Sequence, residues 1–409
     1  MLDDYHLFCQ GKLNNPFPLY HHLRADDPVH WSEQADSWIL TRYDDVKFAL
    51  QYDPRITAER LSLLINKLPT KVRGEVEPLR QLLSKWMQQY DPPEHTRLRK
   101  LVSKTFTARM LERLRGRIRV IVDELIDHVQ ENGEMEFIRD FAYPVPAIVI
   151  AEMLGVPPEH RDQFKQWSAD LAAFLEGVGT HWVDATIRAN QSARELTKYL
   201  GELFSLRRQS PQEDLISQLV SVEEQGDRLS EDELYGMCSF ILEAGHETTT
   251  GLLANGLLAL IQHPDQLQQL RENPSLIDTA VEEMLRYDSS IQRISRMAIQ
   301  DFTLDGKPIK QGQRLWAMIG AANRDPAQFP EPDRFDIGRQ NNKHVAFGFG
   351  THHCVGAPLA RLEAQIGFTT LLERLPDLSL ATDNVEWCEG ISLRVPEVLP
   401  VRFTSTSER

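Results

Sequence analysis

The sequence is poor in cysteine and has no long apolar run. Its four cysteines show no paired spacing: Cys9, Cys238, Cys354 and Cys388. This pattern gives no disulfide framework and is typical of a reducing compartment. No apolar run reaches the roughly 18 residues of a membrane span, and the first residues resemble neither a secretion signal nor an anchor. We therefore expect a cytoplasmic protein that does not enter a membrane.

Basic residues are outnumbered by acidic ones, 45 against 60. The formal net charge is −15, so nucleic acid and acidic membrane surfaces are poor partners. One stretch, from His95 to Arg119, reverses this balance, because nine basic side chains there face Glu112 alone. Such a run is most often a solvated helical face. Against an acidic background, however, it can also steer an acidic protein partner.

Length and apolar content support a large folded core. The chain has 409 residues, of which 41% are hydrophobic, enough for one compact body or two closely packed halves. From Glu94 onward, apolar residues recur three or four positions apart, which predicts a mainly helical protein. Helices are expected over these approximate ranges: 111–129, 146–154, 159–175 and 181–207. Gly177 and Gly179 separate the last two and are either the hinge of a lid or a plain turn.

Strand patterns are confined to short segments toward the two ends. Small sheets are expected from these segments: 29–31, 38–41, 297–299, 302–304, 314–316 and a terminal hairpin over 390–403. Residues 55–91 show no regular period and are expected to be irregular, either as a functional loop or as a mobile surface segment. Together with residues 171–184, they are expected to line or cover a pocket for an apolar ligand.

The longest predicted helix begins at Ser230 and ends near His263. Ser230 and Glu233 form a capping-box pattern, and the run contains no proline. At about 1.5 Å per residue, such a helix is roughly 48 Å long, and its mostly apolar surface predicts burial. Its middle, residues 244–250, combines glycine, glutamate and threonines. These residues favour a local kink that opens a polar notch, although a bent helix without chemistry is the alternative.

One cysteine stands among glycines just before an amphipathic run. The run predicts a helix from about Gly356, with Pro358 in its first turn. Cys354 therefore lies at a helix N-terminus, where the helix dipole and unpaired N–H groups favour a thiolate. The neighbouring glycines let the backbone approach something large and flat. A thiolate held in this way is a soft, anionic metal ligand.

Two simpler interpretations compete with a metal ligand. A lone cysteine is most often a small buried apolar residue. Zinc is disfavoured, because the adjacent His352, His353 and Cys354 cannot easily supply three tetrahedral corners and no second pair lies at zinc-site spacing.

The cysteine segment nevertheless carries a resemblance. Phe347, Gly350, Cys354 and Gly356 form the pattern Phe-x-x-Gly-x-x-x-Cys-x-Gly. This pattern resembles the haem-binding loop of the cytochrome P450 family, in which the cysteine is the proximal thiolate ligand of haem iron. The resemblance implies that these four residues bind the cofactor, haem b, with Cys354 as the axial ligand.

Further segments follow in the family's order. The middle of the long helix is similar to the family's oxygen-binding groove, and the matching residues are Ala244, Gly245, Glu247 and Thr248. Glu283 and Arg286, three positions apart, would ordinarily be an exposed ion pair. The resemblance implies instead the family's buried Glu-x-x-Arg pair, for which Arg334 is the expected third member.

The resemblance implies a mainly α protein with the cytochrome P450 fold, in which a long central helix is joined by small β-sheets near the two termini. It implies one haem domain over residues 1–409 with no fused reductase. Four cations are expected to bind the two haem propionates: His95, Arg99, Arg296 and His352. The first two lie four positions apart and so on one helix face.

The implied reaction is monooxygenation, in which one oxygen atom from O2 enters an apolar small molecule by hydroxylation or epoxidation. Glu247 and Thr248 are expected to control proton delivery. Electrons are expected from a ferredoxin-type donor and its reductase. The basic residues expected to dock this donor are Arg97, Lys100, Lys104, Arg109 and Arg113.

Two other functions are compatible with the same scaffold. A peroxygenase driven by H2O2 would typically replace the acid–alcohol pair, which this chain keeps as Glu247 and Thr248. A non-catalytic haem-binding sensor or partner protein would often lack the cysteine. The substrate is left open by the residues, and fatty acids, terpenoids and polyketides all agree with an apolar pocket.

Overall fold

The computed structural model of the chain describes residues 14–176, 181–224, 226–388, 390 and 392–405. Cys9 and the joint expected at Gly177 and Gly179 lie outside these residues. Among the helices that are described, none combines the length and the apolar character needed to cross a bilayer.

Sixteen α-helices dominate the described part of the chain. They are α1 (Phe17–Asp26), α2 (Tyr43–Leu50), α3 (Leu61–Lys67), α4 (Thr70–Glu75), α5 (Glu77–Ser84), α6 (Glu94–Ser103), α7 (Ala108–Val129), α8 (Pro144–Leu154), α9 (Arg161–Glu176), α10 (Trp182–Gln209), α11 (Leu215–Ser221), α12 (Glu231–Gln262), α13 (Pro264–Glu272), α14 (Ile277–Tyr287), α15 (Ile319–Ala322) and α16 (Ala357–Arg374). The predicted helix-rich fold is confirmed, and the predicted long helices agree with α7, α8, α9, α10 and α12 to within about three residues at each end.

The expectation that residues 55–91 are irregular was wrong. This stretch contains α3, α4 and α5, followed by a 3-10 turn at Met87–Gln89. The helices are short and are separated at Pro69 and near Gly74 and Pro78, so none is long enough to show a clear period. Their burial explains why they form: α5 buries three leucines on one face, and packing rather than propensity stabilises such short helices.

Twelve short strands occur in the same part of the chain. They are β1 (Val29–Ser32), β2 (Ser37–Leu40), β3 (Ile56–Thr57), β4 (Glu134–Glu136), β5 (Glu223–Glu224), β6 (Asp227–Arg228), β7 (Arg293–Ala298), β8 (Phe302–Leu304), β9 (Lys307–Ile309), β10 (Arg314–Met318), β11 (Ser379–Leu380) and β12 (Pro400–Arg402). In the main sheet β1 pairs antiparallel with β2, β2 pairs parallel with β10, and β10 pairs antiparallel with β7.

The terminal hairpin was predicted in the wrong place. β12 pairs with β11 and β4, not with a neighbouring strand of its own hairpin. Hairpin-like pairing occurs earlier, where Cys388 N donates to the Val395 carbonyl at 3.0 Å and Glu397 N donates to the Glu386 carbonyl at 2.8 Å.

The chain divides into two compact units. Unit 1 comprises residues 1–53, 112–146 and 247–409, and unit 2 comprises residues 54–111 and 147–246. In unit 1, the main sheet and α1 share a core: Phe17, Leu19, Tyr20, Leu23, Ala35, Ile39, Trp316, Met318 and Ala321. In unit 2, α10 packs on α5, α9 and α11.

The central helix α12 has the predicted cap. Ser230 N donates to Glu233 Oε2 at 2.7 Å, and Glu233 N donates to Ser230 Oγ at 3.3 Å, so the capping box is confirmed. α12 remains an α-helix through residues 244–250. The predicted kink therefore does not interrupt the helix.

Candidate active site

A tight loop holds Cys354. Cys354 N donates to the Phe347 carbonyl oxygen at 2.8 Å, which closes the loop across seven residues. Gly348 and Gly350 adopt φ angles of 73° and 70°, a left-handed conformation that other residues adopt only with strain. The loop then leads through Gly356 into α16. The sequence thus fixes the conformation of the loop with two glycines and one backbone hydrogen bond.

Each glycine of the loop has its own physical reason. A Cβ atom at Gly350 would lie 3.1 Å from the Cα atom of Gln51, which is closer than real Cβ contacts ordinarily come. A Cβ atom at Gly356 would lie 3.8 Å from the Cys354 sulfur, an ordinary contact. Gly350 is therefore required by the backbone, whereas Gly356 leaves one side of the sulfur clear.

The structure excludes the simpler interpretation that Cys354 is a small buried apolar residue. Cys238, within α12, is buried, and burial raises the pKa of its thiol. Cys354 is exposed and lies three residues before the first residue of α16, where the helix dipole stabilises negative charge. Pro358 occupies the first turn of α16, as predicted.

A salt-bridge network on α14 and α16 supports the loop. Arg361 donates to both oxygens of Glu282, with Nε–Oε1 at 2.6 Å and Nη2–Oε2 at 2.9 Å. His344 Nε2 donates to Glu282 Oε2 at 3.2 Å, and the Arg361 guanidinium lies 4.6 Å from the centre of the Phe347 ring. Burial alone would raise the pKa of Glu282, but the hydrogen bonds from His344 and Arg361 outweigh it and bring the pKa to about 2.

The Glu-x-x-Arg pair is buried and fully bonded. Arg286 donates to both oxygens of Glu283, with Nε–Oε2 at 2.7 Å and Nη2–Oε1 at 2.8 Å, and neither side chain is exposed. Glu283 also accepts from Arg339 Nε at 3.1 Å, Asn342 Nδ2 at 3.0 Å and Asp336 N at 3.0 Å. This network connects α14 with the segment that leads to the cysteine loop.

The third member of that network is Arg339, and the prediction of Arg334 was wrong. The Arg334 guanidinium is 58% exposed and pairs with Glu331 and Asp336. Only the backbone carbonyl of Arg334 takes part, as an acceptor from Arg286 and Arg339. The two arginines are five positions apart, and the local turns around Glu331 and Asp336 decide which one points inward.

The four predicted propionate cations are divided between the units. Arg296 lies in β7 of unit 1, is buried, and donates from Nη1 to the Ser295 carbonyl at 2.9 Å. His352 ends the 3-10 turn at Gly350–His352 and is half-buried. His95 and Arg99 belong to α6 of unit 2, where His95 is buried and Arg99 is half-buried.

The polar segment of α12 mixes half-buried and buried positions. Ala244, Gly245, Glu247 and Thr248 are all half-buried. A Cβ atom at Gly245 would lie 2.4 Å from Cδ1 of Ile150 in α8, so this glycine also permits close packing of two helices. A packing role for Gly245 was not predicted from the sequence.

A buried acid next to this segment was also missed. Glu363 lies on α16, is 1% exposed, and has no hydrogen-bond partner for either oxygen within the described structure. Burial raises the pKa of Glu363 well above the ordinary value, and Thr249 on α12 opposes the shift. Burial of Glu363 in the core of unit 1 thus favours the neutral form of its carboxyl group. Its surroundings come from distant segments, so periodicity alone gave no signal.

The basic stretch is partly neutralised within unit 2. Arg97 donates to Glu94 at 2.6 Å, to Asp227 at 3.1 Å and also to Glu233. Its charge is balanced locally, which removes it from the residues expected to dock a partner. Lys100 remains exposed on α6.

An exposed cysteine at a helix start, on a loop stiffened by glycines and braced by a buried salt-bridge network, defines a single-thiolate ligand site in a helical protein. The sequence profile of the family described as Cytochrome P450 matches residues 36–376. The chain belongs to the cytochrome P450 family. Its fold is the cytochrome P450 fold, and its activity is that of a haem-thiolate monooxygenase, an oxidoreductase.

Similar proteins cover nearly the whole chain. Cytochrome P450 107B1 of Saccharopolyspora erythraea is 44% identical over 90% of this chain and 89% of its own length. The polyketide biosynthesis cytochrome P450 PksS of Bacillus subtilis is 41% identical over 96% of both chains. The structure of P450BioI in complex with an acyl carrier protein ligated to hexadec-9Z-enoic acid has a TM-score of 0.87 at 40% identity, over 95% of this chain and 98% of that one.

The residues present fit the haem of this family. The donor set offers one accessible sulfur at Cys354, and thiolates are suitable ligands for haem iron. Gly356 adds no side chain beside that sulfur. Among the described residues, no group of three or more His, Cys, Asp or Glu side chains is placed to hold a metal ion, so the single sulfur is the ligand on which the fit depends.

Proposed function

We propose that this protein binds haem b through Cys354 and oxidises an apolar small molecule with O2 and electrons from a ferredoxin-type donor and its reductase. The observation that carries this proposal is the geometry of the cysteine loop, in which the sulfur is exposed and the backbone is fixed by Phe347 and two glycines. The proposed location is the cytoplasm, which agrees with the scattered cysteines.

Each predicted site residue has a role in this proposal. Haem bound at Cys354 would supply the oxygen-activating chemistry, which electron donation from the thiolate favours. Phe347, Gly350 and Gly356 would hold the loop in the conformation that presents the sulfur. The residues that would bind the propionates by charge-assisted hydrogen bonds are His95, Arg99, Arg296 and His352.

The central helix would control protons and access. Glu247 and Thr248 are half-buried neighbours on α12, so each can hydrogen-bond to water and hold or pass a proton. Ala244 carries a small side chain and would leave room for a bound group beside the helix, whereas Gly245 would let α12 pack closely on Ile150 of α8. These features favour reaction with O2 over a reaction driven by peroxide.

The electron donor would bind an exposed basic surface. Lys100, Lys104, Arg109 and Arg113 are exposed, and opposite charge on a ferredoxin would guide its approach. Arg97 is excluded because three carboxylates of unit 2 already neutralise it.

The substrate would be an apolar chain of the acyl type. One relative is named for polyketide biosynthesis, and one similar structure holds a hexadecenoic acid on an acyl carrier protein. These two relatives support a substrate built around a long carbon chain, but they do not identify its polar end.

The decisive experiment is the absorption spectrum of the reduced carbonyl complex. The purified wild-type protein should contain haem and show the red-shifted band that thiolate ligation produces, and C354A should lose this band. C388A, which removes another exposed cysteine, is the matched control and should keep it. A wild-type protein without haem or without the red-shifted band would refute the proposal.

Turnover assays then separate the two enzymatic alternatives. Oxidation of an acyl substrate should require a ferredoxin, its reductase and O2. Efficient oxidation with hydrogen peroxide alone would instead establish a peroxygenase.

A further inference from the structure

Glu243 is an acid for which the proposed chemistry gives no role. It precedes Ala244 on α12 and is half-buried. No hydrogen bond or ion pair holds its carboxyl group among the residues that the structure describes. Burial raises the pKa of Glu243 to about 7, Arg60 opposes this shift and Glu176 adds to it. A half-buried carboxyl group without a hydrogen-bond partner retains the capacity to bind a further group.

Arg60 is the cation that acts on this acid. It precedes α3, where its backbone N–H donates to Gln89 Oε1 at 3.1 Å and its Nη2 donates to Gln88 Oε1 at 3.0 Å. A guanidinium has five N–H donors, and this hydrogen bond to Gln88 is the only one that its side chain makes within the described structure. Burial lowers the pKa of Arg60, which Glu243 and Glu59 oppose.

Contacts along one face of α12 explain why Arg60 lies near Glu243. A Cβ atom at Gly236 would lie 2.4 Å from Cβ of Lys85, so the chain at residue 85 presses against the helix there. One turn later, the Trp86 indole donates to Ser239 Oγ at 2.8 Å. Glu243 follows Ser239 by four residues and shares its face.

Gln88, which binds Arg60, follows Trp86 by two residues and so lies near the part of α12 that carries Ser239. The two charged groups influence each other, yet no ion pair joins them within the described structure. A separation beyond ion-pair distance leaves a gap between a cation and an acid, both of which are half-buried. All of these residues belong to unit 2.

We propose that Arg60 and Glu243 form a subsite that binds the carboxyl group of an otherwise apolar substrate. This inference rests on the proposed function and names the polar end of its substrate. Arg60 would donate two N–H groups to the carboxylate, for which the fork of a guanidinium is well suited. Protonated Glu243 would donate a further hydrogen bond from the opposite side.

The charges around Glu243 explain why a carboxylate is favoured over other head groups. Arg60 faces Glu243 from the start of α3, and Glu176 faces it from the end of α9. A ligand ammonium would repel Arg60 and leave its donors unused. An alcohol would satisfy a single donor. Only an anion uses the guanidinium fully, and Glu243 then keeps its proton and does not repel the ligand.

Calorimetric titration of the holoenzyme with a long-chain fatty acid, and with the primary alcohol of the same length, tests the subsite. We expect the wild type to bind the acid at least about tenfold more tightly than the alcohol. R60Q should weaken the acid about 10- to 100-fold and change the alcohol by less than about threefold. R80Q is the matched control, since Arg80 is exposed and pairs only with its helix neighbour Glu77, and it should bind both ligands as the wild type does.

The pH dependence separates recognition from a structural role of the pair. As the pH rises from about 6 to about 8, Glu243 loses its proton, and the Kd of the acid should rise several-fold because two negative charges then share the gap. E243Q should remove this dependence while keeping tight binding. The Kd of the alcohol should change little with pH in either protein.

Three outcomes would overturn the subsite: equal affinity of the wild type for acid and alcohol, equal weakening of both ligands by R60Q, or tighter binding of the corresponding long-chain amine. Calorimetry does not depend on the haem spectrum. Absence of the red-shifted carbonyl band would therefore refute the proposed function, whereas loss of acid selectivity in a protein that shows the band would refute the subsite alone.

Discussion

Two glutamates on helices differ in the number of hydrogen bonds that their carboxyl groups accept. Glu283 in unit 1 accepts hydrogen bonds from Arg286, Arg339, Asn342 and the Asp336 amide. Glu243 in unit 2 lies near one arginine and makes no hydrogen bond within the described structure. Both carboxyl groups can ionise, and both are shielded from bulk water.

The difference follows from the cost of desolvation. A buried charge with every lone pair satisfied is stable in one arrangement, and it fixes the segments that supply its partners. A buried acid without partners raises its pKa and retains the capacity to bind something else. The saturated network of unit 1 therefore fits a structural role, and the open pair of unit 2 fits recognition.

The largest effect that this comparison predicts is the effect of removing the charge of Glu283. E283Q leaves Arg286 and Arg339 buried without a counter-charge, which should cost about 3–5 kcal/mol of the free energy of unfolding. Denaturant unfolding of the purified variant measures this loss, and haem retention should fall with it.

The matched control is E331Q, because Glu331 is 71% exposed and pairs with Arg334. It should change the free energy of unfolding by less than about 1 kcal/mol. If E283Q were as stable as E331Q, the view that saturation makes this network structural would be wrong.

Acid titration tests the second saturated carboxylate, Glu282. Its pKa lies near 2 in the folded protein against 4.5 as the ordinary value, so its stabilisation is complete above about pH 4.5 and is lost as the pH falls toward about 2. E282Q should therefore be less stable than the wild type by up to about 3 kcal/mol at neutral pH. This gap should close in acid, as unfolding followed by circular dichroism would show. A gap that stays constant with pH would exclude the ion pairs with Arg361 and His344 as its source.

The sequence predicted what is local and missed what is assembled from distant segments. Ser230 and Glu233 lie within one helical turn, so their capping box could be predicted from the sequence alone. Arg339 reaches Glu283 across 56 residues, and no spacing rule distinguishes it from the nearby Arg334.

The same limit explains the errors in unit 2. The helices between residues 55 and 91 are stabilised by packing, as where Asn190 on α10 accepts a hydrogen bond from the Leu79 amide at 3.2 Å. Arg60 and Glu243 are 183 positions apart in the sequence, and only the fold shows that they interact. The cysteine loop was predictable because its glycines and its cysteine are contiguous.

The loop glycines offer a smaller and sharper test. G350A introduces a side chain at a φ of 70° and within 3.1 Å of the Gln51 backbone, which should cost about 1–2 kcal/mol. G356A meets only the Cys354 sulfur at 3.8 Å and should cost less than about 1 kcal/mol. Thermal unfolding of the two variants measures the difference, and equal losses would contradict the assignment of Gly350 as the backbone-determined position.

The smallest effect on stability, with a distinct effect on rate, is expected at the basic surface. Lys100 is exposed on α6, so K100E combined with R113E should change the free energy of unfolding by less than about 1 kcal/mol. Reduction by a ferredoxin should slow about tenfold at low salt, because two attractions become repulsions, and substrate affinity should stay unchanged.

Two controls make this test specific: a change of ionic strength and a charge reversal outside the basic stretch. Screening at high ionic strength should bring the reduction rates of variant and wild type together. K71E is the control, since Lys71 is exposed on α4 outside the basic stretch, and it should reduce as fast as the wild type. Because docking charges act before electron transfer, the slowing should appear in the second-order rate constant and vanish at saturating donor. Unchanged reduction in the double variant would show that this stretch is only a solvated helical face.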